Sequence, residues 1–387
     1  LWTKLLYPLL NAIFLPCKGI YFDGINNIII SSSYLIANYS YLCNMLKSIQ
    51  SLRGIFALLI YFHHVEVFPA GGDSGVCFFT VLSGFVLSDG YQNRFRQNSI
   101  SYGSFLKRRL ARIYPLHLLC FIGAFLLTYQ MAHNPVTWLV NLLLLQSWSP
   151  DPQVHFSANA VSWFLSMILF CYLLFPFIIR FLDRWRRNFY IASSILFAVY
   201  FVAIQFVPSG MLNNIIYINP LMRLPDFILG IILWQIIGGK IQAADSSAAL
   251  NLRPLSKSAI ELSALLLFAL TLIIYGVVSP RYGLVSLWWP ASIALISVFA
   301  LFNDKGGIVT RLLQLRPLVF FGNISFSFYM IHLLVIKAAH RLADRFSPDM
   351  PAAIFIPLVL IIAVILAYFV WKYYERPMKR ILLSRTS

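Results

Sequence analysis

Ala352-Ala-Ile-Phe-Ile-Pro-Leu-Val-Leu-Ile-Ile-Ala-Val-Ile-Leu-Ala-Tyr-Phe-Val-Trp-Lys-Tyr373 holds a single charged side chain, Lys372, in 22 residues. As a helix it would be about 33 Å long, enough to cross the hydrocarbon core of a bilayer. Nine further segments read the same way: Gly54–Phe68 (short, extended by Gln50–Arg53), Gly75–Tyr91, Ile113–Met131, Ala160–Phe181, Phe189–Val207, Pro220–Gly238, Ser258–Val278, Gly283–Phe302 and Leu318–Ala338. Val136–Gln146 is apolar over only eleven residues, so it is expected to lie at the interface or to re-enter rather than to span.

The whole composition agrees. Of 387 residues 60% are hydrophobic and 11% charged, against roughly 25% charged in soluble domains. A soluble enzyme, a disordered chain and a collagen-like chain are all excluded. The expected fold is all-α, a polytopic integral membrane protein of about ten transmembrane helices, with no polar stretch long enough for a second domain.

Thirty Lys and Arg stand against thirteen Asp and Glu, a formal net charge of +17. In a soluble protein that excess would suggest nucleic acid. Here the cations lie between apolar runs, so they report topology and no nucleic-acid partner is implied. Ten spans with both termini cytoplasmic place 23 of the thirty cations on the inner side and five on the outer, with Lys4 and Lys18 upstream of the first span. The stretch from Tyr129 to Asn159 carries no Lys or Arg, as an outer loop should. If Val136–Gln146 spanned, the Arg180–Arg187 cluster would be outside.

Residues 1–44 read as an N-terminal extension ahead of a transmembrane domain over 45–387. Lys4 followed by Leu5–Leu15 faintly resembles a signal segment without a convincing cleavage site, and Met45 is a plausible alternative start. The five cysteines are scattered without a C-x-x-C, so they read as buried small hydrophobes, and no metal cluster is visible by ligand spacing.

Ionisable residues within spans are costly and so are functional candidates. Arg53 and His64 are eleven residues apart on the first span, which puts both on one helical face about 16 Å apart along the axis. His63 points about 80° away from Arg53. Such a pair suits a path from a cytosolic anionic donor to a buried base. A snorkelling arginine and a histidine satisfied by a neighbouring helix is the alternative. Ser83-Gly84-Phe85 either permits close helix approach or lines a site through the Ser83 hydroxyl. Lys107-Arg108-Arg109-Leu-Ala-Arg112 places Arg109 and Arg112 on one face, where guanidiniums can bind phosphate bidentately. A plain positive-inside anchor fits that run equally. Arg223 and Asp226 form an i,i+3 pair of opposite charge, and His332 is a second intramembrane imidazole.

In this order the segments resemble the acyltransferase 3 family of polytopic membrane acyltransferases. The matching pieces are Leu52-Arg53-Gly54 with ten residues before His64, Phe79 to Phe85, Arg109-x-x-Arg112-Ile-Tyr-Pro115, and Trp163-Phe-Leu-Ser166 followed by Tyr172-Leu-Leu-Phe-Pro176. Arg223-Leu-Pro-Asp226-Phe-x-x-Gly230, Gly322-x-Ile-Ser325 through His332, and Glu375-x-Pro377 complete the series. The resemblance covers Lys47 to Lys379. It implies an enzyme of a bacterial inner membrane that moves an acyl group, usually acetyl, from cytoplasmic acyl-CoA to a hydroxyl of a carbohydrate or lipid-linked glycan. On this reading acyl-CoA is a co-substrate, no cofactor is bound, and the lipid bilayer surrounds the site. It gives His64 and Arg53 the catalytic roles, Arg109, Arg112 and Arg108 donor binding, and Ser83, Gly84, Trp163, Arg223, Asp226 and His332 supporting roles. A neutral imidazole at His64 can take the proton of an attacking hydroxyl.

The chain departs from the family pattern in two ways. Many members carry a Glu where this chain has Met167-Ile168-Leu169. Glu66, Asp73 and Asp226 are the candidates to replace it. Asp226 stands where Glu is more usual. The absence of a hydrolase-like domain after the tenth span implies the membrane-only form. The rival reading is a transporter or flippase of a polar, glycan-type substrate, although no inverted repeat with matching broken helices is visible. A degenerate member that only binds is the duller alternative.

Overall fold

Among the described residues ten helices of 14 residues or more follow one another, and each overlaps one of the ten expected apolar segments. The computed structural model describes residues 47–127, 134–243, 254–302 and 305–384. The expected extension over 1–44, with Cys17 and Cys43, lies outside the described residues, as do Arg253 and Arg385, two cations expected on the inner side.

The helices are α1 (Lys47–His64), α2 (Ala70–Arg96), α3 (Tyr102–Leu127), α4 (Trp163–Arg184) and α5 (Arg186–Phe206). Then come α6 (Pro220–Ala243), α7 (Pro254–Tyr275), α8 (Trp289–Phe302), α9 (Arg316–Phe346) and α10 (Ala352–Val370). Eight of them are long and apolar enough to cross a membrane. The other two are α1, which has 18 residues and carries Arg53, His63 and His64, and α8, which is 14 residues long behind a tight turn at Ser286–Trp288. No strand occurs among the described residues. The protein is an all-α polytopic membrane protein.

Burial separates centre from rim. In α2, 83% of the most apolar window is buried, against 17% in α10. Around α2 stand α1, α4, α6 and α8, while α9 packs on α1, α3 and α10. Two crossings bring backbones into contact. A Cβ on Gly230 would collide with the Val81 carbonyl oxygen of α2, and one on Gly84 with the Phe227 carbonyl oxygen of α6. Likewise a Cβ on Gly322 of α9 would collide with the Gln50 carbonyl oxygen, and one on Gly54 of α1 would come within 3.0 Å of the Gly322 nitrogen. Lipid supplies no hydrophobic drive between helices, so such small-residue contacts do the packing.

Val136–Gln146 does not span. It forms an eight-residue helix, Pro135–Leu142, and a single turn, Gln146–Trp148, within a folded segment between α3 and α4. Asn141 Nδ2 donates to the Ser157 hydroxyl at 2.6 Å and Gln146 Nε2 to the Ser162 hydroxyl at 3.1 Å. The segment is tied down on α9, where the Tyr329 hydroxyl donates to the Val161 carbonyl at 2.8 Å and Asn159 Nδ2 to the Met330 carbonyl at 2.8 Å. At the other end of the bundle α10 widens into one π turn, Trp371–Glu375, before it resumes as Arg376–Ser384.

Gly230→Ala and Gly322→Ala are each expected to lose about 1–3 kcal/mol through forced backbone separation. Gly103→Ala and Gly239→Ala, where an added Cβ meets nothing within 4 Å, are expected to be neutral. Thermal unfolding in detergent, followed by tryptophan fluorescence, should lower the midpoint for the first two variants only.

Candidate active site

α1 carries both ends of the site. Towards its start Arg53 Nη1 donates to the Gln50 side-chain oxygen at 2.9 Å, and Gln50 Nε2 donates to Asn323 Oδ1 of α9 at 3.0 Å. The ionisable neighbours of Arg53 are Arg112 of α3, Glu375 of the π turn and Tyr172 of α4. Arg109 joins through Arg112 and Tyr172, and its Nη2 donates to the Tyr91 hydroxyl at 2.5 Å. The Arg109 Nε is buried without a partner. Glu375 accepts from the Ser327 hydroxyl at 2.5 Å and lies near Arg53, Arg112 and Lys379. Two guanidiniums, Arg53 and Arg112, therefore lie near one carboxylate, with Lys379 beside them and Arg109 joined only through Arg112 and Tyr172. Such a cluster suits a polyanion, because guanidiniums grip phosphate bidentately. Arg108 does not join it and is exposed.

Eleven residues beyond Arg53, the His64 ring lies 5.2 Å from the His332 ring, centre to centre. Their heights are fixed by the Gly54–Gly322 crossing, since each histidine stands ten residues beyond its glycine. His332 is fully buried, and its Nδ1 lies 2.7 Å from the Tyr329 carbonyl oxygen. His63 points elsewhere, as expected: its Nδ1 lies 2.6 Å from the Pro69 carbonyl oxygen and its ring covers Gly72. The ionisable neighbours of His64 are His332, His63 and Lys337, with no carboxylate in that set.

The candidates for the missing Glu are engaged elsewhere. Ile168 is buried in the apolar core, so α4 offers no acid there. Asp73 accepts from the Tyr275 hydroxyl at 2.9 Å, and Glu66 is exposed. Asp226 ion-pairs with Arg223 at 2.8 Å, both fully buried, and accepts from Trp289 Nε1 at 2.5 Å. The Arg223 guanidinium also lies over the Tyr217 ring, which packs on Trp163 at 5.0 Å. Ser83 spends its hydroxyl on the Phe79 carbonyl of its own helix at 2.8 Å, and Gly84 serves the α2–α6 crossing. Ser83, Gly84, Trp163, Arg223 and Asp226 thus belong to the frame.

Sequence reasoning left Glu375, Tyr91, Tyr172, Gln50 and Ser327 without a role. An acid at the end of the last apolar run was a readable signal for Glu375. The tyrosines and Gln50 gave none, since only the packing of α2, α4 and α1 brings them to the arginines. A third intramembrane imidazole, His117, was also passed over; it is buried with its Nε2 3.0 Å from the Asn141 carbonyl oxygen. Among the described residues no group of three His, Cys, Asp or Glu could hold a metal ion.

A family model described as an acyltransferase domain matches residues 46–372. The protein is thus a membrane-embedded enzyme that transfers acyl groups. The chain belongs to the acyltransferase 3 family, and membership in a family of enzymes favours chemistry over the transport alternative. Among its relatives, the acyltransferase MdmB of Streptomyces mycarofaciens is 32% identical over 294 residues, 70% of each chain. The O-acetyltransferase OatA of Staphylococcus aureus is 23% identical over 363 residues, 87% of this chain and 57% of the relative. A protein of the picA locus of Rhizobium radiobacter is 41% identical over 75 residues, 18% of this chain and 39% of the relative. No solved structure matches.

Removing one member of the buried Arg223–Asp226 pair strands the other. Asp226→Leu is expected to cost about 3–5 kcal/mol, and the double variant Arg223→Met/Asp226→Leu markedly less. Unfolding midpoints of the two proteins in detergent would show this order; a double variant no better than the single would count against a structural role for the pair.

Proposed function

We propose that this enzyme is an O-acyltransferase of a bacterial inner membrane, with both termini cytoplasmic, using acyl-CoA as donor. The acyl group is acetyl, and the acceptor is a hydroxyl of a surface carbohydrate or lipid-linked glycan. The observation that carries the reading is α1 itself. One rigid helix holds a guanidinium at a cluster with surplus positive charge, and an imidazole about 16 Å further along the same face. The phosphates of CoA fit the Arg53, Arg109 and Arg112 end, and the reactive thioester then points along the helix towards His64. The name of the Staphylococcus relative, an O-acetyltransferase, supports the choice of acetyl.

In the step itself His64 takes the proton of the acceptor hydroxyl as its oxygen attacks the thioester carbonyl. The carbon–sulfur bond breaks, and the CoA thiolate leaves and receives the proton back from the imidazolium. No net proton is released. Holding the donor at one end and the base at the other supplies proximity.

Mass spectrometry of surface glycans from cells with and without the gene tests this. Loss of one acetyl increment is expected; loss of the whole glycan would indicate transport, and no change a member that only binds. Restoring the gene with His64→Ala or Arg53→Ala should leave the increment missing although the protein inserts normally, and retained acetylation with His64→Ala would overturn the assignment. Arg109→Ala should restore it only at raised donor supply. His63→Ala should be the mildest of the four, because that ring faces the Pro69 turn.

A further inference from the structure

We propose that His332 is the positioning residue for His64, accepting a hydrogen bond at its Nε2 and so fixing which nitrogen of His64 is free to act as base. The inference rests on the reading of His64 as base and supplies the orienting partner that no carboxylate provides.

The argument begins with hydrogen accounting. A carbonyl oxygen only accepts, so the His332 Nδ1 that lies 2.7 Å from the Tyr329 carbonyl and 3.2 Å from the Phe328 carbonyl must carry the hydrogen. In the neutral ring Nε2 is then a bare lone pair. That atom is buried and has no partner within the protein. A buried acceptor left in this state is costly, and its neighbours decide who can serve it.

Four aromatic side chains surround the His332 ring: Tyr61, His64, Phe328 and Tyr329. Phe328 has no polar hydrogen. The Tyr61 hydroxyl donates to the Ile356 carbonyl of α10 at 2.7 Å, and the Tyr329 hydroxyl to the Val161 carbonyl of the segment between α3 and α4. His63, the next imidazole, is engaged at Pro69. Of these side chains His64 alone has an N–H still to give. Rings with centres 5.2 Å apart bring facing nitrogens to about 3 Å, a hydrogen-bond distance, after a turn of the half-buried His64 ring.

The consequence is chemical. With one nitrogen donating to His332, the other nitrogen of His64 must be the bare one, and it is the atom that takes the hydroxyl proton. The imidazolium formed on that transfer keeps its hydrogen bond to His332 and is stabilised by it until the thiolate takes the proton. His332 does not exchange a proton with substrate. The arrangement has the logic of a base held in its working tautomer by a second group.

The test compares His332→Phe, which keeps ring shape but has no acceptor, with His332→Gln, whose side-chain oxygen can reach the same place. The acetylation rate in complemented cells should fall about 100-fold for His332→Phe and recover to within about tenfold of wild type for His332→Gln. Acetyl-CoA binding to the purified proteins in nanodiscs should stay unchanged in both. In the wild-type protein, ¹⁵N spectra should show one protonated and one bare nitrogen on His64, with coupling across a hydrogen bond to His332. Phe and Gln variants of equal activity, or absence of that coupling, would overturn the proposal. An inactive His64→Ala beside an active His332→Phe would remove this inference alone, whereas an active His64→Ala would remove the underlying assignment as well.

Discussion

The backbone contact between α1 and α9 is the constraint on which the site depends. At Gly54 and Gly322 the two backbones come into contact, with the Phe321 ring packed against Gly54, so neither helix can slide or rotate without a collision. Both helices are regular for the next ten residues, and each then presents a histidine. The height of one imidazole against the other is therefore set by a contact about 15 Å away along the helix axis. The same helix α1 carries Arg53 one residue before its glycine, so a single crossing registers both ends of the site. The second crossing, Gly84 on Gly230, does the corresponding work for α2 and α6 and keeps the Arg223–Asp226 pair inside the bundle.

Polar groups in the bundle divide by whether their hydrogen-bonding needs are met. Asp73, Asp226 and Ser83 have partners and belong to the frame. The arginines near Glu375 outnumber their carboxylate, and His332 keeps a buried acceptor without a donor. Buried atoms of Arg223, His117 and Asn159 also lack a hydrogen-bond partner, so what singles these two sites out is their place at the two ends of one helix face. In a medium where unmet polar groups are expensive, a substrate or a catalytic partner can complete the structure there. An apolar groove of about 490 Å³ runs along a flank of α3, lined by Leu106, Leu110, Tyr114 and Leu382.

Most of the fold was legible because a bilayer demands long apolar helices, and ten of these stood out in the chain. The short Val136–Gln146 segment was rightly kept from spanning, on length and on the charges that follow it. Arg53 and His64 were legible because eleven residues make just over three whole turns, so one helix sufficed to relate them. What stayed hidden required two helices at once. Nothing in the sequence near Tyr91 announces that it meets Arg109, and Arg108 looks equal to its neighbours until the bundle leaves it exposed. The ring beside His64 is another imidazole, that of His332, and its nearness too required two helices at once.

The π turn at Trp371–Glu375 has a consequence for how this chain tolerates change. One residue more than an α-helix needs is stored there, which sets everything after it back by about 100° relative to a uniform helix of the same residues. Deleting one of the four residues Trp371 to Tyr374 would let α10 continue as a uniform helix and leave Glu375 and the residues after it close to their present faces. Straightening the turn at constant length would instead turn the acid away from Ser327 and the arginines. The chain at this mouth is thus built to lose a residue more safely than to lose the bulge.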